Sequence, residues 1–343
     1  MPSSNKKIIV VIGATGNQGS SVAHTFLPLP YWHVRAVTRN PTSSASQALA
    51  ALGAEVVTAD LSDPTSLFQA FKGANTIFLN TDFWETYIIA GTAAASGRGD
   101  TGKSPGKQSF ETEVFHGKNA ADVAADIPSL EHLVYSALAP MKRHSKGKYQ
   151  SDHWDSKATV VDYIENEKPE LAKKLSLIYL GAYTTNRLLF PNLDPASGQY
   201  KYVISASKEM RLPIIDPKKS TGPFVQALIE NEKPGTKLLA YDSDSYLRME
   251  QIVELFTKVT GREAVLVEVT IEEMHQKFGI PLDVLTGMPY IHEFGYCGGV
   301  DGIIEPSELT LKVDTKSFEN WLGEQDLNKL LEQGMMQKSS VQK

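Results

Sequence analysis

The first half of the chain alternates short, nearly continuous apolar runs with segments whose apolar residues recur at helical spacing. "KIIVVIG" reads as a strand buried on both faces, and "NQGSSVAHTFL" as the helix that follows it. "HVRAVTR" and "AEVVTAD" are the second and third strands, with the helical "SASQALAAL" between them. The helix "PTSLFQAFKG" leads to a fourth strand, "ANTIFLNT", and "FETEVFHGKNAADVAADI" is helical before a fifth, "LEHLVYSAL". Strand and helix in regular alternation predict βαβ units and an α/β fold: a Rossmann-type, doubly wound parallel sheet.

Two stretches break the pattern. "GTAAASGRGDTGKSPGKQ", residues 91–108, is rich in Gly, Ser and Ala and has no aromatic residue, so it is expected to be a mobile surface insertion. Beyond residue 184 the periodicity weakens. Residues 1–183 therefore read as the nucleotide domain, and 184–333 mainly as a smaller interleaved α/β substrate domain, with part returning to the first. Residues 334–343 read as a frayed tail.

Composition narrows the classes. A net charge of −6 argues against nucleic-acid binding through phosphate attraction. The single cysteine, Cys297, excludes an internal disulfide. No apolar run approaches the roughly 20 residues of a membrane span, so a cytoplasmic protein is expected. The histidines and the cysteine show no metal-ligand spacing, and no metal is expected.

The chemistry begins at "VVIGATGNQGSS", where Gly13, Gly16 and Gly19 stand between a strand and a helix. A turn this tight lets backbone approach a pyrophosphate on the helix N-terminus. About 20 residues on, where an acidic residue would bind the ribose hydroxyls of NAD, the chain has Arg39 in "VTRNPTSS" and no acidic residue in that stretch. A guanidinium suits a 2′-phosphate, with Thr38, Asn40 and Ser43 as further donors, so NADP(H) is expected over NAD(H). The alternative for Arg39 is a solvated surface arginine. Asp60 and Leu61 follow the third strand, and Thr81, Asp82 and Phe83 the fourth, where ligands gather in such sheets.

"GRGDTGKS", residues 97–104, matches the P-loop pattern. A P-loop needs a buried strand entering and a helix leaving. Here "GTAAAS" leads in, and Pro105 and Gly106 are expected to discourage a helix on exit. ATP or GTP is not expected.

"SDHWDSKAT" carries the catalytic question. No Tyr-x-x-x-Lys occurs, yet His153 stands four residues ahead of Lys157 and Ser136 ends a strand. One helical turn puts His153 and Lys157 on one face. Histidine is a competent proton donor near neutral pH, lowered further by a neighbouring ammonium. Against this stands a Lys157 that only binds ribose and a His153 that is a solvated helix-start residue. Tyr183 is a second candidate acid, or packs by the nicotinamide.

The stretches "GATGNQGSSVA", "VRAVTRNP", "GAEVVTADLSDP", "NTDFWE", "HLVYSAL", "HWDSKATVVDYI", "GAYTTN" and "SFENWL" together resemble the NmrA-like family of atypical short-chain dehydrogenase/reductases, above all its NADPH-sensor-like branch. The resemblance implies NADP(H) contacts at Gly13, Ala14, Thr15, Gly16, Asn17 and Gln18, at Arg39 and its followers, and at Asp60, Leu61, Thr81, Asp82 and Phe83. It further implies contacts at Lys157, Ala182, Tyr183, Thr184 and Thr185. Members divide between oxidoreductases, some resembling isoflavone reductases or acting in secondary metabolism, and redox sensors that regulate a protein partner. The insertion and Phe115, which stands where the sensor-like branch has a lysine, depart from the sensor pattern. The reading is an NADP(H)-dependent oxidoreductase of a small carbonyl, enone or imine. The alternative is an inactive NADP(H) sensor with a regulatory partner, and a homodimer stays open.

Overall fold

The computed structural model describes residues 6–97 and 102–331. The expected tail and the middle of the P-loop-like segment lie outside the described residues. In chain order the strands begin with β1 (Lys7–Ile12), β2 (Trp32–Thr38), β3 (Glu55–Thr58), β4 (Thr76–Leu79), β5 (His132–Ser136) and β6 (Leu175–Leu180). Shorter ones follow: β7 (Ala182–Tyr183), β8 (Asn192–Leu193), β9 (Tyr200–Ile204) and β10 (Arg211–Ile215). The last are β11 (Lys237–Ala240), β12 (Tyr246–Arg248), β13 (Ala264–Glu268) and β14 (Ile303–Ile304).

The first six strands join β11 and β14 in one parallel sheet of order β14-β11-β6-β5-β4-β1-β2-β3. Side chains of β1 alternate between its two faces: Val10 and Ile12 join one core, Ile9 and Val11 the other. Both faces are covered, which is why the strands read as unbroken apolar runs. The chain starts at β1, winds outward through β2 and β3, then crosses to β4 on the other side of β1. That reversal is the topological switch point, and it opens a crevice at the carboxyl ends of β1 and β4. The doubly wound α/β expectation holds.

Two three-stranded sheets complete the fold, β12-β10-β7 and β13-β9-β8. β7 leaves the end of β6 through Gly181, where a Cβ would lie 2.6 Å from the Pro213 carbonyl oxygen. The β12-β10-β7 sheet is thereby anchored at the carboxyl edge of the main one.

The helices that shape the crevice are α1 (Asn17–Phe26), α2 (Ser44–Ala51), α3 (Pro64–Phe71), α4 (Trp84–Ala95), α5 (Pro105–Ala125), α6 (Met141–His144) and α7 (Asp152–Glu167). Two of them correct the expected insertion. Residues 91–95 belong to α4, whose alanines favour helix, and residues 105–108 open α5. Pro105 is no breaker here. It occupies the first turn behind Ser104, whose hydroxyl accepts the Lys107 N–H, a position where proline's missing donor and fixed φ are tolerated. The segment entering "GRGDTGKS" is helix α4 and not a strand, so the P-loop geometry is not built. Among the described residues no helix is long and apolar enough to cross a membrane, and no group of acidic, His or Cys side chains could hold a metal.

Candidate functional site

The glycine turn sits at the end of β1. Gly13 has φ +67°, and a Cβ on Gly19 would fall 2.3 Å from the Gly13 carbonyl oxygen. The turn therefore closes only with glycine at both places. It delivers α1 with Gly16 as its N-cap, no side-chain cap and no acidic residue in the first turn. Uncapped N–H groups at a helix start favour an anion. Ala14 is buried, whereas Thr15 and Asn17 are exposed beside them. Gln18 donates through Nε2 to the Tyr183 hydroxyl at 2.6 Å, while its Oε1 is buried without a partner. A buried polar atom left open in this place fits a site that accepts a polar ligand group. Burial pushes the Tyr183 phenol up, opposed by the Gln18 hydrogen bond. Ala182 and Thr184 flank Tyr183 and are buried; Thr185 is exposed.

Beyond β2 the picture differs in detail from the expectation. Arg39 is solvent-exposed but not free of acids: Glu85, in the first turn of α4, accepts its Nη1 at 2.7 Å. The carboxylate that the local stretch lacks comes from far along the chain and sits on the guanidinium itself. The Asn40 carboxamide oxygen accepts from Thr42, and the Ser43 hydroxyl caps α2 by accepting the Ser46 N–H. Both side chains are engaged within their own turn. Asp60 likewise accepts from the Ser62 N–H and hydroxyl, which hold its carboxyl below the usual range. The Leu61 carbonyl accepts from Asn119 of α5.

At the end of β4 a buried network assembles. The Lys157 ammonium reaches the Thr81 carbonyl (2.9 Å), the Thr81 hydroxyl (3.0 Å) and the Glu113 carboxylate (2.8 Å). Glu113 is fully buried and also accepts from the Thr81 hydroxyl at 2.7 Å and from the Ser156 hydroxyl. The Tyr135 hydroxyl lies 3.2 Å from that of Thr81. Packing of α5 on α7 makes the pair: a Cβ on Gly117 would lie 2.4 Å from a Val160 methyl, so the two helices touch one turn away from Glu113. Sequence reasoning missed Glu113. Its signal is a carboxylate in the buried stripe Ser109, Glu113, Gly117, Ala120, Ala121 and Ala124, where every other residue is small.

His153, in the first turn of α7, is half-buried and lies against Trp84 (centroids 5.0 Å apart) and Phe83 (5.8 Å), with Nδ1 2.8 Å from the Ser151 hydroxyl. Asp82 is exposed and caps α4 by accepting the Trp84 N–H. Burial brings the His153 imidazole down to about 4; the Glu113 carboxylate opposes this, and the Lys157 ammonium adds a smaller push downward. This corrects two expectations. His153 is not a solvated helix-start residue, and near neutral pH it is a neutral imidazole, not an imidazolium donor. Ser136 ends β5 and is buried. As the strand neighbour of Tyr135 it points to the opposite face of the sheet, and among the described residues no hydrogen bond ties it to His153 or Lys157. The structure unites Lys157, Thr81, Phe83 and His153; Ser136 stands apart.

One expected result follows from the depressed imidazole. Its folded-state pKa lies below the ordinary value, so its contribution to stability is present above about 6.5 and lost as pH falls through about 4. Any turnover that uses His153 should accordingly show no inflection from it between about pH 5.5 and pH 8, in a kcat/KM profile compared with that of His153→Ala. An inflection near 6.5 that vanishes in the variant would contradict the buried, neutral ring.

The model of the NmrA-like family matches residues 5–322. The chain belongs to the NmrA-like family. Curated relatives within it include the NmrA-like family domain-containing oxidoreductase hkm9 of Aspergillus hancockii, 28% identical over 82% of this chain and 80% of that protein. The oxidoreductase cpsB of Aspergillus campestris is 30% identical over 76% and 75%. Among solved structures, the negative transcriptional regulator Nmra in complex with NAD superposes with a TM-score of 0.66 at 19% identity, covering 96% of this chain and 98% of that one. Leucoanthocyanidin reductase from Vitis vinifera, as its NADPH binary complex, gives 0.65 at 13% identity over 93% and 98%. These two show a shared fold. The relatives named for the family are named as oxidoreductases, and a protein of the same fold is named as a regulator.

Proposed function

We propose that this chain is an NADP(H)-dependent oxidoreductase that reduces a small carbonyl, enone or imine. The observation that carries the reading is the placement of Lys157 and His153 one helical turn apart, at the carboxyl end of β4, beside an uncapped glycine turn at the switch point. The named oxidoreductases among its relatives, the NAD complex of Nmra and the NADPH complex of the plant reductase support it. Gly13 to Gly19 and the start of α1 would hold the diphosphate, Arg39 the 2′-phosphate, and Gln18 with Tyr183 the floor of the crevice. When bound, the nicotinamide supplies a hydride.

The residues supply the rest. A carbonyl that gains hydride at carbon gathers negative charge on oxygen and needs a proton there. Lys157 brings a positive charge to the β4 end. His153 keeps Nδ1 at Ser151, which leaves Nε2 to hydrogen-bond a substrate oxygen. A neutral imidazole can polarise such an oxygen without being charged itself. Phe83 and Trp84 wall the ring from water. Tyr183, whose hydroxyl accepts from Gln18 and can still donate its own proton, would supply the proton that the oxygen needs.

NADPH oxidation by purified protein against a panel of carbonyls, enones and imines tests the reading. Lys157→Met should lower turnover by roughly a hundredfold or more, with a thermal melt to show the variant folded. A second reading has its own observation: all three Lys157 N–H groups face protein acceptors, and Trp84, Ile88, Ile89 and Phe115 are large, exposed and apolar. Both features suit a nucleotide sensor that contacts a regulatory partner. Tight NADPH binding with no turnover across the panel would favour that reading.

A further inference from the structure

The ion pair between Arg39 and Glu85 has a place in the sheet that its chemistry makes consequential. Arg39 directly follows β2 and Glu85 stands in the first turn of α4, just after β4. β2 and β4 are the two neighbours of β1, so the pair links strand ends about 10 Å apart across the end of β1. That end carries the glycine turn. A dinucleotide running from the turn towards Arg39 has to pass the pair or part it.

Charge makes the same point. Asp60 and Asp82, as well as Glu85, act electrostatically on the Arg39 guanidinium. Among the described residues the guanidinium thus faces three carboxylates, and the His116 imidazole beside them is pushed down by burial, so an arriving 2′-phosphate meets more negative charge than positive. The Arg39 and Glu85 side chains are 61% and 42% exposed, and ion pairs this exposed are weak. A phosphate can engage a guanidinium by two parallel hydrogen bonds, so it can replace the carboxylate. A 2′-hydroxyl has no such claim on Arg39.

We propose that Glu85 is a specificity-determining residue of the nucleotide site, an acidic latch on Arg39 that a 2′-phosphate displaces and a 2′-hydroxyl leaves closed. The inference rests on the reading of the crevice as a dinucleotide site. It also has a structural reach. Asp82 accepts the N–H groups of both Trp84 and Glu85, and Trp84 lies on His153. Adjacent residues of one helical turn thus contact Arg39 on one side and His153 on the other.

Isothermal titration of NADPH and NADH into wild type, Glu85→Gln and Arg39→Met tests the latch through binding alone. Glu85→Gln should tighten NADPH by about tenfold and leave NADH within about twofold. Arg39→Met should weaken NADPH by about tenfold or more, again with little change for NADH. If Glu85→Gln leaves NADPH unchanged while Arg39→Met weakens it, Arg39 reads the phosphate and the latch is overturned. If Glu85→Gln weakens NADH, the carboxylate reads the ribose hydroxyl, which also overturns it. Wild type that binds neither nucleotide overturns the dinucleotide reading itself, and the latch with it.

Discussion

Glu113→Ala is expected to destabilise the fold by about 3–5 kcal/mol, because it strands the Lys157 ammonium beside a cavity. Glu113 is fully buried and the Lys157 side chain is only 12% exposed. Water cannot replace the carboxylate freely, and the Thr81 carbonyl and hydroxyl alone cannot balance a charge. The Thr81 and Ser156 hydroxyls also lose their acceptor, which adds unpaired donors in the same small volume. Such a loss is a large share of the roughly 5–15 kcal/mol that holds a domain together. Denaturant titration should show a lower midpoint at unchanged slope. Removing both charges with Glu113→Leu and Lys157→Met together should restore much of the loss, since an apolar pair of similar volume replaces a buried ion pair at little or no cost. A single variant within about 1 kcal/mol of wild type would mean the pair is hydrated and contributes as a surface bridge does.

The same network explains what could be read from the sequence and what could not. β1, β4 and β5 announce themselves because a strand buried on both faces carries apolar residues in succession through its middle rather than at every second position. The glycine turn is equally legible: the clash that demands Gly19 is with Gly13, six residues away. Glu113 and Glu85 are different in kind. Their partners lie far along the chain, Arg39 being 46 residues from Glu85 and Ser156 being 43 from Glu113. Only the crossing from β3 to β4 and the packing of α5 on α7 bring them together. His153 was visible by its spacing from Lys157, but its neutral state depends on Phe83 and Trp84, which arrive from the β4 end. Pro105 was misread because the same residue stops a helix from within and starts one behind a serine cap. Beyond residue 184, strands of two to five residues with mixed exposure give no period to follow.

Gly19→Ala is expected to lower NADPH affinity by about a hundredfold or more. The added Cβ would sit 2.3 Å from the Gly13 carbonyl oxygen, 2.6 Å from its carbonyl carbon and 2.9 Å from the Ala14 Cα. All three are backbone atoms, so no side chain can rotate away. The turn has to open, yet Ala14 is tied to the neighbouring strand by its N–H to the Val37 carbonyl, and Gly16 to Gly13 by another bond. Either bond breaks or α1 moves off the end of β1, and both displace the uncapped N–H groups on which a diphosphate would rest. Two neighbouring glycines give the comparison. Gly16→Ala brings its Cβ to 3.3 Å from the same oxygen, a contact that a small shift relieves, so affinity should fall by less than about tenfold. Gly13→Ala meets open space but at φ +67°, a strain of about 1–2 kcal/mol, and should fall between the two. Stability alone cannot separate a nucleotide site from a merely structural turn, because both would weaken in this order. Nucleotide-induced stabilisation can. If NADPH raises the melting temperature of Gly19→Ala as much as that of wild type, the diphosphate does not rest on this turn. If the increment disappears in Gly19→Ala and survives in Gly16→Ala, the close approach at Gly19 is what the ligand requires.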